Sequence, residues 1–223
     1  MKKLKKWICI LALTLAPFLV FAQDPPKYEP EMSPYPTVTD PLHYWIDEDG
    51  TGYFMMTGGV IGEFRYFAHA VHFFERYDVD HIVIYLNSPG GSLFEGLGFA
   101  QIMLEQQLEG KVVEVRCYGL AASAATLILA MGTPGYRYIA EGSFIMVHEL
   151  WVAKFFQIQS VSQIEKEAQV MRKLQNGMVD FLCKRLKISP ETLIQRCKEE
   201  TWITAEEAIK WGFADHIIKG GGQ

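Results

Sequence analysis

Cysteine is scarce in this chain, with four among 223 residues. Cys9 lies in the first 22, so Cys117, Cys183 and Cys197 remain beyond it, an odd number that cannot pair completely within one chain. A small scaffold stapled by disulfides is thereby excluded. Cys117, inside an apolar run, reads as a small buried hydrophobe, while a Cys183–Cys197 bridge is left open. An excess of positive charge is also missing: 21 Lys and Arg stand against 26 Asp and Glu, a net charge of −5. Without a basic stripe, RNA and DNA drop out as partners. Nor is there an apolar run long enough to span a bilayer comfortably, since residues 7–21 fall short of the ~20 that a spanning helix needs.

That short run has a telling setting. Lys2, Lys3, Lys5 and Lys6 precede it, and Val20-Phe21-Ala22 close it, the layout of a secretory signal peptide with small residues before the cut. Residues 1–22 are read as a signal cleaved near Ala22, which makes the protein exported, periplasmic or extracellular; a membrane anchor formed by residues 7–21 is the alternative. Cleavage leaves 17 basic residues against 26 acidic ones, a net charge of −9. Residues 23–42 follow with Pro25, Pro26, Pro30, Pro34, Pro36 and Pro41, and read as an extended Pro-rich arm. The span 43–219 is the size of one domain, and 220–223 are a C-terminal tail.

Within that domain, strand and helix signals alternate. "TGYFMMTGGV" reads as a strand ending at Gly58-Gly59. "EFRYFAHAVHFFERY" sets Phe64, Phe67, Ala68, Val71 and Phe74 at helical spacing. "HIVIYLN" and "KVVEVRCYG" are continuous apolar runs that fit strands buried on both faces, separated by the helical "SLFEGLGFAQIMLEQQ". "AATLILAMG" reads as a short helix closed by Gly132, and "YRYIA" and "SFIMVHE" as further strands. A long apolar stripe over 160–187 (Ile164, Ala168, Met171, Leu174, Met178, Phe181) predicts a projecting or oligomer-forming helix. Ser189-Pro190 starts another helix, and Thr204 with Glu207 forms a capping box for a last one, ended by Gly212. The pattern predicts an α/β fold with helices on a largely parallel sheet.

Three loops at strand ends hold residues with chemical potential. In "NSPGGS", residues 87–92, Gly90 and Gly91 let backbone N–H groups approach a substrate carbonyl, although a plain Pro-Gly turn accounts for the same letters. In "GLAASAAT", residues 119–126, Ser123 is a lone hydroxyl before an apolar helix; alone it reads as a packed tract or an N-cap. In "FIMVHE", His148 ends an apolar strand. A serine nucleophile needs a base that titrates near neutrality and two donors for the oxyanion. Open α/β sheets gather such groups at their strand ends.

"IYLNSPGGS", "GLAASAATLILAMGTPG", "SFIMVHE" and "TAEEAIKWGFAD", in this order, resemble four signature regions of the Clp protease proteolytic subunit family. The resemblance covers roughly residues 45–219. It implies a Clp/crotonase-type repeated ββα spiral with a protruding handle helix, matched by the 160–187 stripe. It implies Ser123 as nucleophile, His148 as general base, Gly91 and Ala124 as oxyanion-hole amides, and Gly90 and Ser92 beside the substrate. The family's third member is an Asp; the matching position is Glu200, with Glu199 next to it. The Gly-rich segment that follows the family's His is replaced by "LWVAKFFQIQ". The expected function is a serine endopeptidase acting on short or unfolded polypeptides through an acyl-enzyme, as a homo-oligomeric ring, with no cofactor and no metal. An ATP-driven unfoldase partner is not expected outside the cytoplasm. A catalytically degenerate scaffold and a crotonase-like acyl-CoA enzyme are the alternatives.

Overall fold

Two apolar periods decide the architecture: runs buried on both faces become central strands, and stripes recurring every third or fourth residue become helices packed on them. The computed structural model describes residues 43–152 and 158–220. The signal, the Pro-rich arm and the last three residues of the tail lie outside the described residues. The chain runs β1 (Tyr44–Ile46), β2 (Gly52–Gly59), α1 (Glu63–Arg76), β3 (His81–Gly90), α2 (Leu93–Leu108), β4 (Val112–Ala122) and α3 (Ala125–Ala130). It continues through β5 (Arg137–Ala140), β6 (Phe144–Val147), α4 (Val161–Cys183), α5 (Pro190–Lys198), β7 (Thr201–Ile203), α6 (Ala205–Trp211) and β8 (His216–Ile218).

Strands lie in the order β1-β2-β3-β4-β5-β8, with β6 pairing with both β4 and β7. The pairings are parallel except where β1 joins β2 and β7 joins β6. The result is the α/β class expected, built on an eight-stranded sheet. β4 serves two partners: Val115–Cys117 face β5, and Leu120–Ala122 face β6. Between these stretches Gly119 takes φ +100°, a turn of the strand that glycine allows without a Cβ penalty. This bend carries the ends of β3, β4 and β6 to one place.

Helices α1 and α2 cover one face of the central strands. Phe67 and Phe99 stack with centroids 3.8 Å apart, and Phe54 meets both edge-on, all three fully buried. Each such pair adds ~0.5–1.5 kcal/mol beyond its burial. On α1 the buried stripe is Phe67, Ala70, Val71 and Phe74, whereas Phe64 lies partly exposed over Gly98. Helix α3 ends at Ala130 without a left-handed glycine. Gly132 is required for another reason: a Cβ there would lie 2.8 Å from Arg137 Cγ and 3.0 Å from Val115 Cγ2.

The long helix is α4, whose N-terminus carries a capping box of Ser160 and Gln163. Its stripe changes along its length, from exposed Ile164 to buried Met178, so the N-terminal half projects from the body. The Thr204–Glu207 box and the left-handed Gly212 cap bound α6 as expected. Among the described residues no helix is long and apolar enough to cross a membrane. The thiols of Cys117, Cys183 and Cys197 are free.

Candidate active site

The end of β3 is shaped by Ser88, buried, whose hydroxyl donates to Gly58 O and accepts the Gly90 N–H at 3.2 Å. Gly90, at φ +91°, is pressed against the turn between β4 and α3. A Cβ on it would lie 2.5 Å from Ala122 O and 2.6 Å from Ser123 Cβ. Only glycine fits there. Gly91 is similarly constrained, with Val60 N 3.0 Å from its would-be Cβ.

Ser123 itself has φ +54°, a left-handed conformation that costs a non-glycine residue ~1–3 kcal/mol. The turn is clamped on both sides. Ser123 N–H donates to Met146 O at 2.8 Å, and Ser123 O accepts from Thr126 N–H at 3.1 Å and from Thr126 Oγ1 at 2.7 Å. The Ser123 hydroxyl caps nothing: the N-cap of α3 is Ala124, which makes no side-chain capping bond. Its small neighbours allow close packing, since Gly96 of α2 comes so near that a Cβ there would lie 3.1 Å from Ala124 O.

His148 follows β6 and is half-buried. Its Nδ1 is buried and has no hydrogen-bond partner. Trp151, largely exposed, meets the imidazole edge-on at 5.1 Å between centroids. The stretch after His148 is pinned to α4 by Leu150 N–H donating to Gln175 Oε1 at 2.9 Å.

Gly91, Ser123, Ala124 and His148 line one small pocket of about 30 Å³. Among the described residues no backbone acceptor takes up the Gly91 or the Ala124 N–H. One pocket therefore presents a hydroxyl, an imidazole and two free amide donors. Its other walls are apolar, with Leu150, Met178, Leu182, Leu193 and the buried Cys197, whose thiol burial pushes up to about 11. Two larger troughs, one along α4 and one on the open face of the sheet, contain neither Ser123 nor His148.

Two residues expected beside the substrate do other work. Gly90 backs Ser123, and Ser92 is the N-cap of α2, accepting from Glu95 N–H at 3.4 Å; neither lines the pocket. Glu200 stands at the next step of the β6–β7 ladder, which pairs Ile145 with Ile203, Met146 with Trp202 and Val147 with Thr201. That register sets its backbone beside His148. Its side chain, however, is exposed, and no hydrogen bond joins it to the imidazole. Glu200 sits at φ +48°, and its N–H donates to Cys197 O at 3.2 Å. Glu199 is engaged elsewhere, accepting from Gln195 Nε2 at 2.8 Å and Arg196 Nη1 at 3.0 Å; those partners, Gln195 foremost, hold its carboxyl below the usual range.

The apolar wall was not anticipated. Met178 does lie on the predicted α4 stripe, and Leu193 and Cys197 stand four apart on α5, a spacing visible in the letters. Their convergence on Ser123 depends on how α4 and α5 pack against the β4 end, which no local pattern encodes. Among the described residues there is no group of three or more His, Cys, Asp or Glu that could hold a metal ion.

A fold in which strand ends present a hydroxyl, an imidazole and free amides in one pocket fits a peptidase family. A family model described as Clp protease matches residues 66–221. The chain belongs to the Clp protease family. It is 30% identical over 138 residues to ATP-dependent Clp protease proteolytic subunit 2 of Tropheryma whipplei (strain Twist), covering 62% of this chain and 73% of that protein. It is 31% identical over 137 residues to the ATP-dependent Clp protease proteolytic subunit of Borreliella afzelii (strain PKo), covering 61% of this chain and 66% of that protein.

Proposed function

We propose that the protein is a serine endopeptidase that cleaves short or unfolded polypeptides through an acyl-enzyme. The observation that carries this reading is the single pocket shared by Ser123, His148 and the free N–H groups of Gly91 and Ala124. Ser123 Oγ attacks the scissile carbonyl carbon while His148 Nε2 takes its proton. The Gly91 and Ala124 amides donate to the oxyanion, each such donor being worth about 10²–10³ in rate. Collapse expels the amine, which receives the proton from His148, and water then releases the acyl group by the same steps. The apolar side chains of Leu150, Met178, Leu182 and Leu193 back the pocket and keep water from the reacting groups.

Glu200 completes the set by rotating inward to accept the Nδ1–H of His148, supported by the ladder register that places it alongside. The orphaned Nδ1 is the vacancy that a carboxylate would fill. Ring assembly is proposed from the projecting half of α4, whose Val161, Ile164 and Val170 are exposed. Export follows from the basic, apolar and small-residue layout of residues 1–22, and activity without an ATP-driven unfoldase follows from export. The test is hydrolysis of a fluorogenic peptide series by wild type, Ser123→Ala and His148→Ala. Turnover is expected in the wild type and a loss of at least 10²–10⁴-fold in each variant. Equal turnover in all three would refute the assignment.

A further inference from the structure

Three helices begin with the letters of a capping box, and one of the three boxes is left open. Ser160 with Gln163 and Thr204 with Glu207 close theirs, each side chain bonding the other residue's backbone N–H. Ser92 and Glu95, at the start of α2, have the same spacing. Ser92 Oγ accepts the Glu95 N–H at 3.4 Å, but the box stops there. The Glu95 carboxylate accepts instead the N–H of Gly62, 33 positions away in the loop between β2 and α1. An ionised acceptor on a backbone amide makes one of the stronger hydrogen bonds in a protein, so this side chain is drawn off its own helix to hold that loop.

The first residue of the loop shows what is being held. β2 and β3 pair in parallel as far as Thr57 and Asn87, and after a shift of register Gly59 comes opposite Gly90. Beside this pair Val60 N–H donates to Gly90 O at 2.7 Å. Among the described residues no peptide bond is cis, and across a trans peptide the C=O and N–H point in opposite directions. Holding Gly90 O toward Val60 therefore turns the Gly91 N–H away from the loop, toward the pocket that Gly91 shares with Ser123. This peptide has no side chain of its own to keep it so. Both its residues are glycines at positive φ, +91° and +150°, and glycine lets a peptide plane turn over at little steric cost. The loop is fastened at both ends to the segment it supports, at Val60 to Gly90 and at Gly62 to Glu95.

We infer that Glu95 is a positioning residue of the oxyanion hole: by holding Gly62 it fixes the Val60 loop, and Val60 keeps the Gly91 amide aimed at Ser123. The role rests on the proposed reaction, in which the Gly91 amide meets the oxyanion. It requires an acceptor oxygen at position 95 rather than a charge. The charge is in fact opposed by Glu63 on α1, whose carboxyl is pushed upward by burial, an effect that His43 counters and Glu95 reinforces.

The test compares wild type with Glu95→Ala, Glu95→Asp and Glu95→Gln, by amide hydrogen exchange and by hydrolysis of a fluorogenic peptide. Gln keeps an acceptor at the same reach. Asp keeps the charge in the first turn of α2 but withdraws the oxygens by one methylene, and it serves in place of Ala should that variant fail to fold. The Val60 and Gly62 amides are expected to exchange about tenfold faster in the Ala and Asp forms, the loss of one charge-assisted bond, and at the wild-type rate in the Gln form. In the same two forms kcat should fall about tenfold, short of the ~10²–10³ for losing a donor outright. KM should stay within about twofold, the mark of an interaction made only in the transition state, and Gln should restore kcat. Unchanged Val60 exchange in the Ala and Asp forms overturns the inference, as does faster exchange with an unchanged kcat, or a Gln form as slow as Ala. A wild type without turnover would refute the peptidase reading instead, and the Val60 exchange would still decide whether Glu95 holds the loop.

Discussion

Replacing Gly90 with alanine strikes the point where the β3 loop supports Ser123. The new methyl would meet Ala122 O at 2.5 Å, Ser123 Cβ at 2.6 Å and Ala124 N at 3.0 Å, and each is backbone or the first side-chain atom, so none can swing aside. The residue would also keep φ +91°, outside the region that L side chains favour. Left-handed strain costs roughly 1–2 kcal/mol, and overpacking ~1–3 kcal/mol, giving a total of about 2–5 kcal/mol. At roughly 2–4 °C per kcal/mol for a chain of this size, the melting temperature falls by about 4–20 °C. Because the clash displaces Ser123 and the Ala124 amide together, labelling of Ser123 by a fluorophosphonate should fall even at temperatures where the variant stays folded. Gly142→Ala is the control: its Cβ meets nothing within 4 Å, and it should change stability by less than ~0.5 kcal/mol. A Gly90→Ala protein with the stability and labelling rate of Gly142→Ala would refute the packing argument.

Arg137 and Asp215 offer a second test, since the nearly buried guanidinium donates to both carboxylate oxygens and also to Ala130 O and Gly212 O. Asp215→Asn leaves that cation without its counter-charge and should cost about 3–5 kcal/mol by urea denaturation. Burial alone would raise the Asp215 carboxyl, but the bonds and charge of Arg137 outweigh it and the net direction is downward. Its stabilisation is therefore present above the unfolded value near ~3.9 and disappears as pH falls through the lower folded value; the wild-type urea midpoint should drop in that window and the Asn variant should lack this component. Gly177→Ala, in the exposed middle of α4 with nothing near its Cβ, should raise stability by ~0.5–1 kcal/mol, read as a higher melting temperature. Glu200→Ala should lower peptide turnover by up to ~10⁴-fold with little effect on stability, because its side chain is exposed; an unchanged turnover would leave His148 acting without a carboxylate.

Much of this molecule was legible in its letters, and the failures have physical reasons. The doubly buried runs around Ile84 and Val115 announced β3 and β4, and the Thr204–Glu207 box with Gly212 fixed both ends of α6. β1, β7 and β8 have three residues each, too short for a period to show, and they exist because a neighbouring strand offers hydrogen bonds. Gly132 suggested a helix cap, but its smallness is needed by Arg137 and Val115, contacts made across the fold. At the site, Gly91, Ser123, Ala124 and His148 lie 57 positions apart at the extremes and line one pocket; the strand-end rule and the family resemblance single out each of these four from the letters. The positive φ of Ser123 and the apolar wall from α4 and α5 were not foreseen, since both arise from packing around the turn.

Ser123 as nucleophile is tested most directly by covalent labelling. Wild type, Ser123→Ala and His148→Ala are each treated with a fluorophosphonate, digested, and the adduct located by mass spectrometry. One adduct, on Ser123, is expected in the wild type, none in Ser123→Ala, and labelling slowed at least 10²-fold in His148→Ala. An adduct that persists in Ser123→Ala, or that maps to another residue in the wild type, would contradict it.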